Sequence, residues 1–256
     1  MMTGINADGQ DVSLEPDDTI ELNRDSLAER IYARLRAALM TGQYEPGARL
    51  SIRKLAASYN TSPTPVREAI VQLVREGALE LRLGYQPRVP VLSIPQYIQI
   101  RETRVPLERL AAELSAVNIT PEEIQTLREL HKKWVQLESA EEWRAAIVAN
   151  QEFHFTVYRA SKNEVLLRCI ENLWLLAYPF VYNQYPSIRQ AGSEVHPHLL
   201  IIDALSRRSP AEAGEMVVRD LRDGSYRILE QFKLGEGREK KRRGRKTLTL
   251  QDSAAD

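Results

Sequence analysis

From Leu27 onward the apolar positions fall at helical spacing, with Leu27, Ile31, Leu35 and Leu39 on one face of a first helix. The stretch TGQYEPGARLS closes it, because Gly42, Pro46 and Gly47 force a turn. Ser51 can cap a short second helix through Tyr59, with Ile52, Leu55 and Ala56 facing inward. NTSPTP then turns the chain into a third helix. There Val66, Ile70, Leu73 and Val74 recur three and four apart, while Arg67, Glu68, Gln72 and Arg75 take the other face. Ser62 is its expected N-cap, and Pro63 and Pro65 cost little where N–H groups lack partners anyway. Gly77 ends the helix. Beyond it LELRLGYQPRVPVL alternates apolar and polar residues about Gly84, which predicts a two-stranded hairpin.

From Ser93 no strand pattern remains. Gln96 to Val117 is helical by period, with Pro106 expected to kink it or interrupt its ladder. In NITPEE, Thr120 caps a new helix, Pro121 fills its first position, and Glu122 and Glu123 favour its dipole. Further helices are expected over 122–138, 140–161, 163–183, 190–207 and 210–234. The fold class is mainly α: a winged helix-turn-helix over residues 26–92, then an all-α antiparallel bundle over 93–235.

Composition and charge refine this division. The chain has 256 residues, enough for two modest cores, and its net charge of +0 hides local asymmetry. Residues 1–25 carry Asp8, Asp11, Glu15, Asp17, Asp18, Glu21 and Asp25 against Arg24 alone, which reads as a disordered acidic leader. It has neither the basic start nor the apolar run of a secretory signal, and no stretch is long and apolar enough to span a membrane. The single cysteine, Cys169, excludes an intramolecular disulfide, and the expected setting is the cytoplasm. Residues 236–256 form a tail dense in Lys and Arg between 238 and 246. A solvated tail and a minor-groove arm are its two readings.

Between positions 45 and 90, Arg49, Arg53, Lys54, Arg67, Arg75, Arg82 and Arg88 outnumber Glu45, Glu68, Glu76 and Glu80. Three helices, a sharp turn between the second and third, and a basic hairpin fit a double-stranded DNA partner, because phosphate attraction needs such a surface. A small helical packing domain with solvated arginines is the bland alternative. The stretch LRAALMTGQYEPGARLSIRKLAASYNTSPTPVREAIVQLVREGALE resembles the GntR-family DNA-binding domain in its PG turn, its LA pair and its TPVREA run. That resemblance implies that Arg53, Ser62, Thr64 and Arg67 touch DNA and that the wing tip at Gly84 and Tyr85 reaches the minor groove. Pro63 stands where the family usually has arginine. A bidentate guanine reader worth about 1–3 kcal/mol at one base pair is therefore missing.

In the second domain, Asn150 and His154 share a helical face in ANQEFHFTVY, SEVHPHLLIIDAL brings His196 and His198, and EMVVRDLRDG brings Asp220. Spacing alone leaves a metal site and hydrogen-bonded core histidines both open. Residues 93–233 resemble the FCD effector domain of the FadR subfamily, through RVPLERLAA at 104–112 and FH followed by ASKN. The resemblance implies a divalent metal held by Asn150, His154, His198 and Asp220, above a pocket for a small effector. Asp220 stands where the family usually has histidine. The set nonetheless keeps one carboxylate, which favours hard oxygen ligation and widens the choice from zinc to manganese or nickel. An empty polar pocket without metal is the competing reading.

Arg104 corresponds to an arginine that faces the family's cavity, where a guanidinium fork suits a carboxylate effector. A salt bridge to Glu108 is the alternative. Trp174, Tyr178 and Tyr182 form a stripe expected in the core or an interface, and His131 and Trp134 carry no visible chemistry. The resemblance implies a homodimeric, ligand-responsive transcriptional regulator, more often a repressor, on an inverted-repeat operator. The alternative is a metalloenzyme with a DNA-binding head. No nucleophile with its base, and no Glu beside the histidine pair, supports the alternative, so no catalytic residue is assigned.

Overall fold

The computed structural model describes residues 4–5, 11–12, 19–181, 195–226 and 229. Its elements are β1 (Gly4–Ile5), β2 (Asp11–Val12), α1 (Thr19–Met40), α2 (Ile52–Ser58), α3 (Pro63–Arg75), α4 (Ile94–Asn118), α5 (Pro121–Ser139), α6 (Trp143–Ala160), α7 (Glu164–Val181) and α8 (Pro197–Ser206). A last helix, α9, covers residues 210–226. The chain divides into two compact units, Met1–Ala38 with Ala48–Val89, and Leu39–Gly47 with Pro90–Asp256. No helix among the described residues is long and apolar enough to cross a membrane.

The first unit is built on the predicted apolar positions. Ile31 and Leu35 of α1, Ala56 of α2, and Val66, Ile70 and Leu73 of α3 are buried with Leu50, Leu79 and Val89. Tyr32 donates to the Glu76 carboxylate at 2.8 Å, tying α1 to the end of α3. Helix α1 starts at Thr19, inside the segment expected to be a disordered leader, and β1 pairs with β2 antiparallel through Gly4–Val12 and Ile5–Asp11.

The expected hairpin is reduced to single bridges, from Glu80 to Arg88 and from Arg88 to Arg49. Its ladder cannot lengthen because Pro87 and Pro90, which flank the paired residues, have no N–H to donate. What remains is Glu80 N–H to Arg88 C=O at 2.8 Å and its reciprocal at 2.9 Å, with Leu50 donating to the Pro87 carbonyl.

The regular elements of the second unit among the described residues are all helices. Helix α6 packs on both α4 and α5, α4 on α7, and α5 on α8. Ala111, Ala112 and Ala116 are fully buried on α4, where short side chains let neighbouring backbones approach. Ser115 sits among them, its hydroxyl between the carbonyls of Ala111 (2.7 Å) and Val157 (2.5 Å). Ser93 and Thr120 each close a capping box, with Gln96 and Glu123, and so fix the starts of α4 and α5.

One expected interruption is bridged and two expected boundaries move. Helix α4 runs unbroken through Pro106, losing only the bond that residue 106 would donate. Helix α6 begins at Trp143 because Glu141 takes φ 59°, which breaks the run from 140. Helix α8 begins at Pro197, not near 190, because extended His196 caps it and the proline takes the first position. Tyr182, residues 190–194 and the tail 236–256 lie outside the described residues.

Leu73 is fully buried at the centre of the first unit. Leu73→Ala should cost about 2–5 kcal/mol by leaving a cavity. Hydrogen exchange should then show lost protection in peptides from α1 and α3, and unchanged protection would place Leu73 outside the core.

Candidate functional site

Two surfaces carry chemistry, one in each unit. In the first, the turn from α2 to α3 is held by Asn60 at φ 52°, a left-handed conformation that asparagine tolerates, and by Thr61 donating to Ala56. It leaves Arg53, Ser62, Thr64 and Arg67 exposed together along α2 and the start of α3, while Pro65 and Val66 turn inward. Ser62 occupies the N-cap position, yet its side chain makes no capping bond. Two prolines explain this. Pro63 and Pro65 donate nothing, so Thr64 holds the only amide N–H among the first three residues of α3.

At the wing, Gly84 takes φ 78° with open space around it, and Tyr85 is 70% exposed. Leu83 beside them is fully exposed, an apolar tip that the alternating pattern gave no reason to single out. Arg88, counted above among the basic residues, is held by the Glu80 carboxylate at 2.7 Å and is not a free charge.

In the second unit, a cavity of about 130 Å³ is lined by residues that include Asn150, His154, Asp220, Arg104, Glu108 and Trp174. His154 on α6 places Nε2 3.2 Å from Oδ2 of Asp220 on α9. His198 on α8 lies with them, one ligand atom from each of the three falling within 4.8 Å of the others. Bonds of about 2.0–2.2 Å to one ion would put neighbouring ligand atoms a little over 3 Å apart, so the His154–Asp220 pair is already at ligand spacing. Three of the four predicted ligands thus converge, and Asn150 lines the same cavity one turn before His154.

The donor set fits a cation. His198 is wholly buried and both of its ring nitrogens lack a hydrogen-bond partner, a costly state for a polar ring without an ion. Burial holds its pKa well below the ordinary imidazole value, aided by His154, His196 and His131, with Asp220 opposing, so it stays a neutral ligand. For Asp220, burial alone would raise the pKa. The hydrogen bond and charge of His154, with the fields of His198 and His196, outweigh it, and the carboxyl lies well below the usual range.

Arg104 is buried on α4 and bonds through Nε to Glu108 at 2.6 Å, the salt bridge that was its alternative reading. It also lies over the Trp174 ring at 4.5 Å. Glu108 does more than pair it. This carboxylate accepts from Trp174 Nε1 at 2.9 Å and from the Tyr158 hydroxyl at 2.7 Å. That hydroxyl lies 3.4 Å from Nδ1 of His154, so it can orient the ring while Nε2 faces Asp220. Sequence reading missed this role for Glu108 and Tyr158, and it left Trp174 and Tyr178 to the core although both line the cavity. His131 and Trp134, read as without chemistry, pack beside His196 and His198.

Comparison with known proteins gives these two surfaces a common setting. Residues 27–85 match the family of bacterial regulatory proteins called gntR, and residues 99–223 match the FCD domain. The chain is 32% identical over 179 residues to the HTH-type transcriptional regulator McbR of Escherichia coli K12, covering 69% of this chain and 81% of that one. It is 29% identical over 194 residues to a probable D-xylose utilization operon transcriptional repressor of Paenarthrobacter nicotinovorans, covering 74% and 83%. The solved structure of E. coli McbR/YncC superposes with a TM-score of 0.75 at 28% identity, over 80% of this chain and 98% of that one. The exposed α2–α3 corner and the polar cavity thus sit in the two domains of a regulator and not in an enzyme: the chain belongs to the GntR family, a transcriptional regulator with a DNA-binding GntR domain and an FCD effector domain.

Proposed function

We propose that this regulator, of the FadR subfamily, is a cytoplasmic repressor that binds a short inverted-repeat operator as a homodimer and responds to a small carboxylate in its FCD cavity. The observation that carries the DNA part is the α2–α3 corner. Arg53, Ser62, Thr64 and Arg67 are exposed while the residues behind them are buried, an arrangement with no use in a packing domain. Arg53 and Arg67 meet phosphate or base edges, Ser62 and the Thr64 amide hold a phosphate, and Gly84 and Tyr85 at the wing enter the minor groove. Repression is supported by the name of the Paenarthrobacter relative.

Charge decides how a carboxylate could bind. Among the described residues the cavity lining carries Glu108, Glu138, Asp220 and Asp223 against Arg104 as the one Lys or Arg, a balance that disfavours an anion. A dication held by Asn150, His154, His198 and Asp220 would supply a positive centre for a carboxylate oxygen. Arg104 then completes the site, because among the described residues its hydrogen bonding uses Nε alone and leaves the terminal nitrogens for the ligand. Met40 also lines the cavity. A coupling of about 1–3 kcal/mol between the two ligands is the usual scale of such a response.

Arg67→Ala should weaken operator binding by about 1–3 kcal/mol, and Arg53→Ala likewise, with the FCD domain still folded. Fluorescence anisotropy on a fragment recovered by genomic selection measures it, and wild-type affinity in Arg67→Ala would remove α3 from the reading role.

For the cavity, zinc, manganese and nickel should each raise the melting temperature of metal-stripped wild-type protein, by mass action on the folded state. His154→Ala should lose most of that rise, and Asp220→His should shift the preference toward zinc. Carboxylates should bind the metal-loaded protein and not the stripped one. Calorimetry that found equal carboxylate binding with and without metal would keep the pocket and take the ion out of it.

A further inference from the structure

We propose that His131, His196 and His198 form a second metal-ion position, made of imidazole alone, which shares His198 with the set around Asp220. The chain has four histidines among 256 residues, and all four gather here from three different helices and a helix cap. One ring nitrogen from each of His131, His196 and His198 lies within 4.8 Å of the others. Binding at about 2.0–2.1 Å in tetrahedral geometry needs nitrogens a little over 3 Å apart, so a closure on the order of 1 Å completes the group.

The rings are set to present their edges. Phe153 stacks on His198 at 3.8 Å and 14°, which covers one face and fixes the plane. Imidazole lone pairs lie in that plane, so stacking leaves both nitrogens available. His131 and His196 meet His198 at 75° and 77°, the crossed arrangement of rings that converge on one point rather than stack. Nδ1 of His131 and both nitrogens of His198 are buried without a hydrogen-bond partner. Burial holds His131 and His198 below the ordinary imidazole value, so both stay neutral and able to ligate. His196 is less free, because its Nδ1 accepts from the His198 amide at 3.1 Å as the cap of α8. It joins the ion by giving up that bond.

An all-nitrogen set suits zinc, whereas the neighbouring set offers oxygen from Asn150 and Asp220. His198 belongs to both, so the two positions draw on one ring. An ion at the second position lies beside Trp134, which stands 4.4 Å from the His196 ring.

The test removes the first position and asks whether zinc still binds. Full-length His154→Gln/Asp220→Asn protein should bind one zinc in competition with a chromophoric chelator. Adding His131→Gln, or separately His196→Gln, should weaken it at least about tenfold. A cooperatively melting double variant without zinc binding, or unchanged affinity on adding either glutamine, overturns the proposal. Should the double variant fail to fold, ring-nitrogen NMR of wild-type protein with zinc decides it. Metal-bound shifts at His131 and His196 support the second position, and shifts confined to His154 and His198 overturn it. Both results are independent of whether a carboxylate effector binds.

Discussion

A single buried carboxylate, that of Glu108, organises the FCD cavity. It is 1% exposed, and taking an ion that far out of water costs several kcal/mol unless its lone pairs are filled. They are filled by three donors from three helices: Arg104 from its own α4, Tyr158 from α6 and Trp174 from α7. Each bond fixes a wall of the cavity. Arg104 is pinned by Nε, Trp174 is turned so that the guanidinium lies over its ring, and Tyr158 is set where its oxygen can orient His154. The same carboxylate that prevents Arg104 from being a bare buried cation also lowers the cavity's appetite for anions. In the proposed reading, a carboxylate would therefore need a cation near Asp220 to offset this charge.

How much of this is legible in sequence depends on the range of the interaction. Capping at Thr120 and the helix start at Pro121 are local and read directly, as are the buried positions of α3. The winged domain was equally plain in periodicity, turn residues and charge. The helices of the bundle among the described residues follow from period, but the start of α8 is set locally, by His196 as cap and Pro197 at the first position. Glu108 with Tyr158 and Trp174 spans 50 and 66 positions in sequence, and no spacing rule connects them. His131 was passed over for a related reason. It lies among charged residues on α5, and its meaning appears only once α8 brings His196 and His198 alongside.

By the resemblance, Asp220 stands where the family usually has histidine, so with Asn150 the set places its one carboxylate on α9. At its present place Asp220 faces His154 at 3.2 Å and stays ionised, although burial alone would favour its neutral form. That placement also exposes His198 to a different competition. With one oxygen-bearing set on one side and His131 and His196 on the other, the ring sits between a harder and a softer environment.

The DNA-binding corner shows a comparable exchange. Helix starts attract phosphate through their unpaired amide groups, and Pro63 and Pro65 remove two of the first three from α3. Pro63 also takes the place of the guanidinium that usually reads a base. Both changes reduce the anion-binding capacity of this helix end. What they leave is sharper in position: one amide at Thr64, a Ser62 hydroxyl free of capping duty, and a rigid first turn whose φ angles the prolines fix. In the proposed reading Thr64 and Ser62 would set the register of the helix on the DNA backbone, and discrimination among bases would fall to Arg67 and to the exposed wing tip at Leu83, Gly84 and Tyr85, through groove shape in place of a guanine contact.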